Sequence, residues 1–377
     1  MPKSTGAPGS AGLAARGALG ALLLLALCAV RVTAAPADAA GAAASAERIP
    51  FTQRYHAVHH GGIVRAANSA ITCTSPVRPA VGKAASCQEV KRGAAGVNGG
   101  FEMFYNDLDS DPNTYNSTRA ELVLPEGSTV RYARLYWGGN LRVSEQKPPE
   151  DNGRALIAEP GGRYKEVLAD TRVAHRDADG ADAYHASADI TPLVRQSGAG
   201  LYTVAQVNVA KGNTAVGAWG GWTLVVVYEN EREPLRHLAL WDGFERLDAD
   251  RPAQTVTLRG LRVPAKAAGR AGVIGYDGDR GAHGDSMTVR AGGGAPYAVK
   301  DGVNPADDIM NSTIADSGRA AAFERRPAQQ NTLGYDSDVF DIRPALSRGG
   351  AELAFRFTAE SKGYFLGALF VETDSRL

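Results

Sequence analysis

Cysteine is scarce: the 377 residues contain three, at positions 28, 73 and 87. That excludes a disulfide-dense scaffold and the paired C-x-x-C units of structural zinc sites. Net charge is also missing, since Lys+Arg and Asp+Glu number 41 each. The basic footprint of a nucleic-acid binder is therefore absent, and no nucleic-acid partner is expected. No long stretch keeps a helical apolar period, which argues against bundles and coiled coils. The longest apolar run, residues 18–30, is shorter than the roughly 20 residues a bilayer span needs, so no transmembrane segment is expected. Phosphate loops, dinucleotide fingerprints and zincin helices are absent too.

What is present begins with a targeting pattern. Lys3 and Arg16 precede the apolar run and Arg31 closes it, the order of a secretory signal peptide. Residues 1–35 are read as the signal peptide and 36–46 as a flexible Ala-rich leader. The C-terminal residues 370–377 carry no sorting or lipid motif, so the expected product is secreted, free or held at the cell wall. With Cys28 removed in the leader, Cys73 and Cys87 remain, and an exported pair 14 positions apart reads as a disulfide.

Gly 44 and Pro 19 make up about 17% of the chain, against roughly 12% on average, so turn punctuation is dense. Between the turns lie short alternating runs at 119–124, 130–137, 202–209, 256–263, 271–276, 286–290 and 352–357, with a nearly all-apolar run at 364–371. Strands of this length and spacing predict an all-β fold: an antiparallel β-sandwich of jelly-roll or Ig-like type, arranged as two packed sandwiches over 47–232 and 233–377. Helix is expected only in short pieces, the best being Asp189 to Gly198. In the stretch AWGGWTLVVVYEN, residues 222–228 are apolar on both parities, as in a strand covered on both faces. The adjoining glycines let backbone approach closely. Trp219 is expected to be the more exposed of the two tryptophans and a candidate ligand contact.

Three stretches concentrate carboxylates. In the first, Asp107, Asp109 and Asp111 alternate with other residues, a spacing that can wrap oxygen ligands around Ca²⁺. Pro112 and Thr118 break the EF-hand pattern, and an Asx-rich turn explains the same residues without an ion. The second holds Asp277, Asp279 and Asp285; the third holds Asp336, Asp338 and Asp341. If the last two loops meet, they can share an ion. Ca²⁺ is the only cofactor this pattern suggests. GDSM at 284–287 resembles a lipase nucleophile block, but no histidine follows His283 to act as base. His56, His59 and His60 have no acidic or cysteine partner nearby in sequence.

The motifs ITC…C, DLDSDPNTYNSTRAELVLPEGSTVRYARLYWGG, GWTLVVVYEN, NTLGYDSDVFDI and YFLGALFVETD, in this order, resemble an uncharacterised family of exported bacterial proteins. In larger members of that family this unit is an adhesin-like head ahead of repeated domains and a surface anchor. The resemblance covers about 54–373 and implies a β-sandwich exposed outside the cell, with no catalytic residues. No such repeats and no anchor are expected from the motifs in this sequence. The expected function is thus a non-enzymatic extracellular module that binds a cell-surface polysaccharide or protein. The alternatives are a secreted glycan hydrolase using two of Asp277, Asp285, Asp336 and Asp338, and a purely structural wall or spore-surface protein.

Overall fold

The computed structural model describes residues 49–77, 85–317, 319–320, 323–360 and 362–376. The expected signal peptide and leader, with Cys28, lie outside them. Strand makes up 54% and helix 7%, and nearly every pairing is antiparallel, so the fold is an all-β sandwich. Its organising element is the first strand, Ile49–Ser69, which is 21 residues long. Its first half pairs with Leu235–Leu247, running from Ile49 opposite Phe244 to His60 opposite Leu235. Its second half pairs with Gly220–Glu229, from Gly61 opposite Glu229 to Ser69 opposite Gly221. The change of partner falls at Gly61, whose φ is +145° and where a Cβ would sit 2.0 Å from the Tyr228 carbonyl. Only glycine fits this bend.

One eleven-stranded sheet therefore has two halves. The first inner sheet holds Gly61–Ser69, Gly220–Glu229, Thr129–Asn140, Ala181–Asp189 and Ala174–Ala178. The second inner sheet holds the start of the first strand, Leu235–Leu247, Tyr364–Asp374, Gly269–Tyr276 and Tyr335–Asp341. An outer sheet of five strands covers the first inner sheet, and one of four strands covers the second. Three apolar layers separate the four sheets. Trp222, Leu224 and Val226 face Leu122, Ile157 and Val204 of the five-stranded sheet. Val273, Leu369 and Val371 face Val289, Phe355 and Phe357 of the four-stranded one. The opposite faces, Val225 and Val227 on one side and Leu240, Phe244 and Phe365 on the other, meet in the middle layer. Side-chain alternation along each inner strand feeds two layers at once, which is why these strands are apolar on both parities.

The described residues from 49 to 376 belong to one compact unit. The turn at 230–234, where a domain boundary is expected, is the point at which the chain passes from one inner sheet to the other. The strands on its two sides do not pair; the first strand lies between them. The short helix Thr191–Ser197 forms as expected, with Asp189 Oδ1 accepting the Thr191 N–H at 2.9 Å and Gly198 ending it at φ 69°. Among the described residues, no helix is long and apolar enough to cross a membrane.

Cys73 and Cys87 are joined in a disulfide, with Cα atoms 5.8 Å apart. A loop of this length stabilises the chain by roughly 3 kcal/mol. The double substitution Cys73→Ser/Cys87→Ser is expected to lower the unfolding free energy by about that amount, read from denaturant midpoints. An unchanged midpoint would mean that the loop is already held by its packing alone.

Candidate functional site

The first acidic stretch closes on itself. Asp109 Oδ1 accepts the Asp111 N–H at 2.9 Å and the Thr114 hydroxyl at 2.9 Å, and its other oxygen takes the Tyr164 hydroxyl. Asp111 Oδ1 accepts both the backbone and side-chain N–H of Asn113, and Asp107 accepts from Ser117. Burial pushes the Asp109 carboxyl up, but the hydrogen bonds from Tyr164, Asp111, Thr114 and Ser117 outweigh it and hold the group below the usual range. These are Asx turns whose oxygens serve the loop rather than a common outside point.

The second and third acidic stretches do come together, through a segment to which sequence reasoning gave no role. Residues 301–315 run past both. Asp285 Oδ1 accepts the N–H groups of Ile309 and Met310. Asp308 Oδ2 accepts from Gly281 at 2.8 Å, Asp336 Oδ1 from Thr313 at 3.0 Å, and Asp338 Oδ1 from Ala315 at 2.7 Å. Asp336 and Asp338 are fully buried, and Asp285 and Asp308 nearly so. Burial pushes Asp285 and Asp338 up to about 7, and it drives Asp336, beside Asp338, well above the usual range. Among the described residues, no three Asp, Glu, His or Cys side chains stand close enough together to hold a metal ion. The expected shared calcium ion therefore has no three-carboxylate cage. Asp285, Asp336 and Asp338 are instead turned to backbone N–H groups of the crossing segment, and Asp308, on that segment, to the N–H of Gly281.

The glycan-hydrolase alternative needs two of these carboxylates to flank a bond in an accessible cleft. Three of its four candidates, Asp285, Asp336 and Asp338, are shut inside. Ser286 is a strand residue bonded to Thr358 at 2.7 Å. His56 stacks on His237 at 5.7 Å, while His59 and His60 bond to backbone carbonyls.

Trp219 requires a correction. Expected to be exposed, it is fully buried and packs between Tyr276 at 5.8 Å and Phe365 at 5.5 Å. It belongs to the middle layer and presents no face to a ligand. The glycine pair beside it explains the placement. A Cβ at Gly221 would sit 2.7 Å from the Tyr335 ring, so the sheets approach too closely here to leave an aromatic platform outside. Trp222 is buried as expected, its indole N–H donating to Thr118 Oγ1 at 2.7 Å.

Of the expected site residues, Asp277 and Asp279 line an open cleft. It has a volume of about 380 Å³ and lies at one end of the middle layer. The other walls are Asp179, Asp248, Asp250, Arg246 and Lys362. Arg246, nearly buried over the Phe365 ring, bonds Asp179 at 2.7 Å and reaches Asp248 at 3.3 Å and Asp277 at 3.7 Å. Lys362 Nζ stands 3.6 Å from Asp279, whose Oδ1 has no hydrogen-bond partner among the described residues. Burial and the neighbouring Asp279 charge hold Asp277 well above the usual range; burial likewise raises Asp279. Sequence reasoning missed Asp179, Asp248 and Asp250. The signal was present, since 177–179 and 248–250 repeat the Asp-x-Asp unit singled out at 277–279 and 336–338.

No family model matches the chain, and no curated protein does. Among solved structures, the STIV MCP is similar at TM-score 0.20 and 10% identity, over 69% of this chain and 92% of that one. Quercetin 2,3-dioxygenase from Acinetobacter baumannii is similar at TM-score 0.19 and 11% identity, over 87% and 88%. TM-scores this low fix neither family nor function.

Proposed function

We propose that this chain is an exported, non-enzymatic binding module that holds an amine-bearing component of a cell surface in the acidic cleft. The carrying observation is the charge of that cleft: five carboxylates face only Arg246 and Lys362. An ammonium group donates three hydrogen bonds and suits a site with surplus carboxylate acceptors. The signal-like N-terminus, the disulfide and the family resemblance support export. The component best matched to this chemistry is a polysaccharide with free amino groups. The test is retention of the purified protein on a deacetylated amino-sugar polymer against its N-acetylated form. Retention on the first only, weakened by salt, is the expected result. Equal retention on both, or on neither, would contradict the proposal.

A further inference from the structure

A second pocket opens at the other end of the same middle layer and has the opposite character. It has a volume of about 290 Å³, near the lower end of the roughly 300–1,000 Å³ of small-molecule sites. The strand Gly269–Tyr276 links the two, with Arg270 in this pocket and Asp277 in the acidic cleft. At about 3.3 Å per residue, they are roughly 23 Å apart along the strand. The wall is mostly apolar, built from Ile63, Val123, Tyr228, Val339 and Phe370.

One group in that wall is out of keeping with it. Arg65 lines the pocket and is only 4% exposed. Its Nη2 donates to the carbonyls of Ala315 and Ser337, and the guanidinium lies over the Phe323 ring at 5.2 Å. Its Nε and Nη1 have no partner among the described residues. A buried guanidinium with three of its five N–H donors unused costs the fold several kcal/mol unless something accepts from it. The other arginine of the wall is no substitute case, because Arg270 is matched by Glu372 at 2.7 Å. Nearby Arg325 is also buried with Nη1 unpartnered; burial and the Arg65 charge push it down to about 10. Asp338 and Asp316 attract Arg65, but neither forms an ion pair with it. Asp316 also stands on the pocket wall, which limits the negative charge an occupant can carry.

We propose that this pocket binds a small amphipathic monoanion, a carboxylate whose head group is held by Arg65 and whose apolar body fills the space between the two inner sheets. A carboxylate oxygen can accept from Nε or from Nη1, which lie on different edges of the guanidinium because Nη2, common to both edges, is taken by the two carbonyls. The site is separate from the acidic cleft, so it stands or falls independently of the amine-binding reading.

The test is calorimetric titration of the purified protein with decanoate, decanol and decyltrimethylammonium. Decanoate is expected to bind saturably, about tenfold or more tighter than decanol, and the ammonium compound not at all. Arg65→Met is expected to remove that preference while decanol binding persists. Should R65M fail to fold, Val123→Glu serves instead, because Val123 is half exposed at the pocket wall and the change adds a like charge there. V123E is expected to weaken decanoate several-fold and leave decanol unchanged. No saturable decanoate binding, equal binding of decanoate and decanol, or equal loss of both in V123E would each overturn the proposal.

Discussion

Replacing Val226 with aspartate is expected to leave no folded protein. Val226 is fully buried, in register with Val64 on one side and Ala133 on the other. Its side chain joins the layer between the first inner sheet and the five-stranded outer sheet, beside Trp222 and Leu224. None of these neighbours offers a cation or a free donor. An unpaired carboxylate buried there costs several kcal/mol or stays protonated at a similar cost. Total stability of a domain is only about 5–15 kcal/mol. The matched control is Val58→Asp, the same exchange on a strand residue that is 45% exposed, expected to change stability by about 0.5 kcal/mol or less. The readout is a thermal melt of each variant. A cooperative transition in V226D would place this strand at an edge and contradict the four-sheet packing.

Asp285→Asn is expected to stabilise the protein, increasingly so as pH rises. Asp285 is 6% exposed and held up to about 7 by burial. The asparagine oxygen can still accept from Ile309 and Met310. In the unfolded chain the carboxyl ionises near pH 4. Below that pH both states are protonated, and the substitution is expected to change little. Between about 4 and 7 the unfolded state loses its proton while the folded state keeps it, so the wild type loses stability as pH rises. The full effect, reached above about pH 7, is roughly 4 kcal/mol for one such group. His185, buried and pushed down to about 4, acts the opposite way: its contribution is complete above about 6.5 and is lost towards acid. The difference between D285N and wild type isolates the carboxyl from it. Melts at about pH 5 and pH 8 are expected to show a gain that is larger by a few degrees at the higher pH. A difference that does not change with pH would mean that Asp285 is ionised throughout. A melt at pH 8 that calcium at about millimolar concentration raises, cancelling the D285N gain, would instead make this cluster a cation site.

Much of the strand content was legible because alternation and turn residues are local signals. The runs at 256–263, 271–276 and 364–371 lie within observed strands, and Trp222 to Tyr228 is buried from both sides. The Cys73–Cys87 pairing followed from counting. The first strand was harder, since His56, His59 and His60 dilute its pattern and its second half reads as small residues. Ala181–Asp189 was missed for a related reason: Asp182, His185 and Ser187 are polar yet buried. Asp182 is held by Gln146 and His175, and His185 by Tyr276. Gln146 and Tyr276 are remote in sequence, and periodicity carries no trace of any of these partners. The same limit hid the acidic cleft. Its walls come from turns on both inner sheets, so neither Asp179 nor Asp248 announces the other. The resemblance to exported surface proteins pointed to a binding module but to no residue in it.

The most direct measurement is calorimetric titration of a deacetylated amino-sugar oligomer into wild type and the double variant Asp250→Asn/Asp279→Asn, in two buffers of different ionisation enthalpy. Asp250 is exposed and Asp279 lies outside the strands, so the double variant tests the cleft without opening the core. Saturable binding by wild type is expected, with protons released because an arriving ammonium ionises the raised carboxyls of Asp277 and Asp279. The variant is expected to bind about tenfold or more weaker. Unchanged affinity in the folded variant, or no binding by the folded wild type, would contradict an amine site in this cleft.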